Sequence, residues 1–106
     1  MEIQETIHLA VRRIVDASHP QKVILFGSQV YGSPKPDSDV DFLVIEREVS
    51  SKAKEMARLR DAVGAIGTPI DIMVYSERDV LEWGGLPGTA LYWALKEGKV
   101  LYEASH

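Results

Sequence analysis

The chain has no cysteine in its 106 residues, so neither a disulfide framework nor a thiolate metal site is open to it. Histidine is nearly as scarce. His8, His19 and His106 are scattered and form no cluster, and no chemical part is assigned to them. If a metal is used, the ligands must then be hard oxygens, which suit Mg²⁺ or Mn²⁺ and not zinc. No apolar run approaches the roughly 20 residues needed to cross a bilayer, so no membrane partner is expected. The opening Met-Glu-Ile-Gln-Glu is acidic and leads into no apolar leader, which predicts a cytoplasmic protein. Positive charge is in deficit: 12 Lys and Arg stand against 16 Asp and Glu, a net charge of −4. Binding to a phosphate backbone needs clustered basic residues, so direct nucleic-acid binding is not expected. A nucleotide held through a divalent ion remains open, because the ion carries the positive charge itself.

What is present is an ordinary globular composition, 45% hydrophobic and 26% charged, in a chain of one-domain length. Residues 3–17 place Ile3, Ile7, Ala10, Val11, Ile14 and Val15 at helical spacing, and His19-Pro20 ends that helix. Lys22 to Phe26 reads as a buried strand stopped by Gly27-Ser28. A brief helical turn through Tyr31 and a turn-rich loop over 32–38 are expected next. Val40 to Ile45 is a second strand, apolar on both faces after Asp41. Ser50 or Ser51 can cap a helix running to about Ile66, with Ala53, Met56, Leu59, Val63 and Ile66 as its stripe. Ile70 to Tyr75 is a third strand. Ser76-Glu77-Arg78-Asp79 opens a short helix to Trp83, and Gly84 to Gly88 forms a break. Thr89 to Glu97 is a last helix and Val100 to Tyr102 a last strand. The expectation is a single-domain α/β fold, one mixed sheet with helices packed on it.

Two features carry chemistry. Asp39 and Asp41 open a strand that is otherwise apolar, although aspartate is a poor strand former. Residues i and i+2 of a strand share a face, which sets the two carboxylates side by side, about 7 Å apart at Cα. Such a pair is costly to desolvate unless a cation lies between them. Asp71 repeats the anomaly inside Pro-Ile-Asp-Ile-Met-Val, and it converges on the same point if the two strands are neighbours. The second feature is Leu25-Phe26-Gly27-Ser28, a strand ending in Gly-Ser. There, free backbone N–H groups and a hydroxyl can cradle phosphate oxygens.

Gly27-Ser28, ten intervening residues and then Asp39-Val40-Asp41 resemble the signature of the DNA polymerase β-like nucleotidyltransferase superfamily. Gly32, Ser38 and the hydrophobic run after Asp41 fit as well. The short length and the ending Glu-Gly-Lys-Val-Leu-Tyr-Glu look most like its minimal nucleotidyltransferase (MNT) branch. The resemblance implies metal ligands at Asp39, Asp41 and Asp71, with the nucleotide held at Gly27, Ser28, Gly32 and Ser38. It implies transfer of AMP from ATP to an acceptor hydroxyl, with Mg²⁺ or Mn²⁺ clamping the attacking and leaving oxygens. It also implies a partner, since minimal domains of this kind are paired with HEPN-type helical toxins, onto a tyrosine of which they transfer AMP as antitoxins. Lys35 and Arg47 are candidates for neutralising the leaving pyrophosphate.

Two other functions stay open. One is a binding module that neutralises its partner by contact and needs no metal. The other is a small-molecule nucleotidyltransferase of the aminoglycoside-modifying kind. Trp83, Tyr92 and Trp93 read first as core residues, yet around a Gly/Pro break they are also what a partner surface would use.

Overall fold

Four strands hydrogen-bond in the order β3-β2-β1-β4 in the computed structural model, which describes residues 3–27 and 40–105. Along the chain the elements are α1 (Ile3–Ser18), β1 (Lys22–Phe26), β2 (Val40–Glu46), α2 (Lys52–Val63), β3 (Ile70–Ser76), α3 (Glu77–Trp83), α4 (Ala90–Glu97) and β4 (Lys99–Glu103). β1 runs antiparallel to both β2 and β4, and β2 runs parallel to β3. The sheet is therefore mixed, as expected. The expected turn through Tyr31 and the loop over 32–38 fall outside the described residues.

The three later helices start where side chains satisfy free N–H groups. Ser51 accepts from Lys54 N at the head of α2, and Thr89 accepts from Tyr92 N at the head of α4. Ser76 and Asp79 form a reciprocal capping box that opens α3. At the other end of α1 the chain turns at His19, whose φ of 45° is left-handed, just before Pro20. α2 stops at Val63, one turn short of the expected Ile66. Gly64, at φ 68°, closes it by donating to the Arg60 carbonyl. The apolar stripe at Ile66 still packs on the core, but from the loop that follows. β4 is longer than expected, taking in Lys99 and Glu103 at its ends.

The alternation of side chains on the strands builds two apolar layers. Val23, Leu25, Val40, Phe42, Val44, Ile72 and Val74 pack against α1 and α2, which contribute Ile7, Ala10, Ile14, Leu59 and Val63. Ile24, Leu43 and Ile45 pack on the other face against Leu91 and Ala94 of α4. β2 is the central strand, and Phe42 to Ile45 are all buried, which is why its sequence is apolar on both faces. Truncating the fully buried Phe42 to Ala would cost about 3–5 kcal/mol. α1 and α2 are further tied by Arg13, donating to the Val63 carbonyl, and by Arg58, donating to the Ala17 carbonyl at 2.8 Å.

β4 is an edge strand with a slipped register. Val23 faces Tyr102 while Ile24 faces Val100, so Leu101 is an extra residue on the outer strand. Trp83 and Trp93 are not core residues, contrary to their first reading. They are 51% and 46% exposed, and Leu81 on the same α3 helix is 86% exposed. The helices that carry them are short and use Leu91 and Ala94 to cover the sheet, which leaves the indoles outside.

Candidate active site

The mixed topology collects three strand ends at one edge of the sheet. β1 runs antiparallel to β2, so its last residues lie beside the first of β2, with Phe26 opposite Asp41. β3 runs parallel to β2, so their beginnings coincide, with Asp41 opposite Asp71. Adjacent strands are about 4.8 Å apart, and residues opposite one another on paired strands share a face. Asp41 has the alternation of Leu43 and Asp71 that of Met73, which sets both carboxylates on the α4 side of the sheet. Asp41 is half-buried, whereas the Asp71 side chain is 56% exposed on the outer strand.

Gly27 closes this corner. Its φ of 83° is left-handed, a conformation that favours glycine. A methyl group at its Cα would run into Oδ2 of Asp41. The end of β1 is thus packed directly on one of the two carboxylates, and a larger residue there would displace it. Gly27 is the described part of the expected phosphate cradle. Ser28, Gly32, Ser38, Lys35 and Asp39 lie outside the described residues.

The donor set fits a hard divalent ion. It consists of carboxylate oxygens on one face, at strand beginnings, with no sulfur or imidazole among them. Among the described residues no group of three or more ligands forms, because the third expected ligand is Asp39. Asp41 and Asp71 would hold the ion together with it.

Arg47 does not belong to this corner, which corrects its assignment to the leaving pyrophosphate. It follows the last residue of β2, six positions beyond Asp41, and a strand rises about 3.3 Å per residue. That separation is roughly 20 Å, at the opposite end of the sheet. Among the described residues, a cation that does approach the site is one that sequence reasoning did not single out. Arg60, in the last turn of α2, sets Nη2 3.9 Å from Asp71 Oδ1. Nothing in the sequence marks it, since an Arg beside the core residue Leu59 is ordinary for an amphipathic helix.

A second group of charges sits at the far end of β2. Glu46 is 9% exposed, and its Oε2 has no hydrogen-bond partner among the described residues. Burial, a hydrogen bond to Glu55 and the charge of Glu55 push its carboxyl up to about 8. Glu55 moves the opposite way, lowered chiefly by Arg58, which grips both its oxygens at 2.7 Å. Burial and the neighbouring Glu55 thus favour the protonated form of Glu46.

A family model described as "Polymerase beta, Nucleotidyltransferase" matches residues 11–106, about nine-tenths of the chain. No curated protein matches it.

Proposed function

Because the chain belongs to the polymerase β nucleotidyltransferase family, and so to a group that carries out nucleotidyl transfer, we propose that it moves AMP from ATP to a protein hydroxyl. The single observation that supports this is the in-register pair Asp41 and Asp71, with Gly27 packed against the first. The acceptor oxygen bonds to the α-phosphorus, the bond to the pyrophosphate oxygen breaks, and pyrophosphate leaves. Bound Mg²⁺ or Mn²⁺ supplies positive charge for the triphosphate and for the leaving group.

The chain's own groups do the rest. Asp39, Asp41 and Asp71 hold the ions. Gly27 and Ser28 would offer N–H and hydroxyl donors to phosphate oxygens, and Gly32 and Ser38 complete the proposed nucleotide-binding set. Asp71, on the open edge strand, accepts the proton of the acceptor hydroxyl. Its exposure supports that part, since an acceptor must reach it from solvent.

The acceptor is a tyrosine of a HEPN-type helical toxin, and the protein is its cytoplasmic antitoxin. What supports a protein acceptor is the open sheet edge at Asp71, whose exposed side chain a docked surface can reach, since positioning provides much of the rate in such transfers. Neutralisation by contact alone is a second function, favoured by the exposed Leu81, Trp83 and Trp93. Intact-mass spectrometry of the helical partner, after incubation with ATP and Mg²⁺, separates the two. Added adenylate with the wild type and none with Asp39→Asn supports transfer. Equal neutralisation by both proteins with no mass change would leave contact as the function.

A further inference from the structure

Arg60 leaves α2 beside Leu59, which faces the core on the α1–α2 side of the sheet. Asp71 projects on the other side, with Met73. To bring Nη2 to 3.9 Å from Asp71 Oδ1, the arginine must therefore reach round β3 at the open edge of the sheet. The fold does not need this contact. The cap of α2 uses the Arg60 backbone carbonyl and Gly64, leaving the guanidinium out. Both side chains are 56% exposed, and ion pairs that exposed add little to stability. The effect of the pair is local: it sets one positive charge against the more exposed of two carboxylates that face each other on adjacent strands.

We propose that Arg60 is a positioning residue of the site, the internal counter-ion of Asp71 until a divalent cation arrives with its nucleotide. The proposal rests on the metal-dependent transfer described above. A cation approaching the free protein meets a carboxylate already neutralised by Arg60, so it binds weakly. A triphosphate adds negative charge that offsets the guanidinium, so the ion and the nucleotide load together. The site is thereby biased toward filling with metal and nucleotide together.

The test is Mn²⁺ binding to the full chain without nucleotide, followed by electron paramagnetic resonance of the free ion. Arg60→Gln is expected to bind Mn²⁺ about two- to fivefold more tightly than the wild type, the range an exposed ion pair allows. Arg60→Lys keeps the charge and is expected to match the wild type. Asp71→Asn should bind more weakly, and adding Arg60→Gln to it should bring no gain. With a non-hydrolysable ATP analogue present, the advantage of Arg60→Gln should shrink. Unchanged or weaker binding by Arg60→Gln overturns the counter-ion role, as does an Arg60→Lys variant that behaves like Arg60→Gln. If Asp71→Asn binds Mn²⁺ as well as the wild type, the carboxylate site itself is at fault and both proposals fall together.

Discussion

Asp41 and Asp71 stand opposite each other on neighbouring strands that run the same way. The parallel pairing is what makes this possible. In an antiparallel pair two residues near strand beginnings would lie at opposite ends of the sheet. Here β2 and β3 both begin at the corner where β1 ends, and three segments distant in sequence contribute to one site.

The carboxylates are expected to be individually essential. Asp41→Asn and Asp71→Asn should each lower transfer by more than about a hundredfold, the upper range seen when even an outer partner of a metal ligand is removed. Without metal, Asp41→Asn should be no less stable than the wild type, because it relieves repulsion between facing charges worth up to about 1 kcal/mol. A transfer assay checks the first half, and thermal melting without Mg²⁺ checks the second. An Asp41→Asn protein that is active, or that unfolds, contradicts this account.

Gly27→Ala tests the packing of β1 on Asp41. A left-handed φ of 83° strains alanine by about 1–3 kcal/mol, and the added methyl displaces the Asp41 carboxylate. Melting should fall modestly while transfer falls steeply. A variant that loses stability but keeps full activity would show that the close approach has no part in the site.

Glu46 gives the protein a pH dependence of known sign. Its carboxyl titrates near 8 in the folded state against 4.5 for the ordinary group. The folded state therefore holds more protons than the unfolded one between those values, and stability falls as pH rises through that window. Glu46→Gln cannot ionise, so its melting temperature should gain on the wild type from about pH 5 to pH 8 and level off above. A difference that stays flat across this range would mean that Glu46 is ionised in the folded protein.

Trp83 and Trp93 are expected to matter to the partner and not to the fold. Each is about half exposed, so Trp83→Ala and Trp93→Ala should leave melting nearly unchanged. Pull-down and modification of the proposed helical partner should weaken. Full partner modification by the double variant would remove this face from the interaction.

Much of the fold was legible because local rules and tertiary packing agree. The caps at Ser51 and Ser76 and the apolar run after Asp41 act through neighbouring backbone groups and strand alternation, which a sequence displays. The end of α2 was missed because the apolar stripe continues to Ile66, whereas Gly64 ends the helix by its backbone geometry. Convergence of Asp71 on Asp41 was legible only conditionally, since the neighbouring of β2 and β3 is a long-range property. Arg60 and Glu46 were not legible at all. Each owes its setting to how the next element of the chain packs, Arg60 to the β3 edge and Glu46 to Glu55 and Arg58 of α2, which no local pattern displays. Arg47 shows the converse, being near Asp41 in sequence and far from it along the strand.

The additional residue at Leu101 decides how this protein can be approached from the side. Within one short strand, Val100 lies over Ile24 on the α4 face, and two positions later Tyr102 lies over Val23 on the α1 face. An incoming extended peptide, or a second copy of β4, would have to alternate in step with a strand that changes step midway. Hydrogen bonding could then follow only a few residues before the side chains fell out of phase. Lengthening of the sheet by recruitment at this border is disfavoured, which leaves the β3 edge, where Asp71 lies, and the side chains of the helices to recognise a visitor.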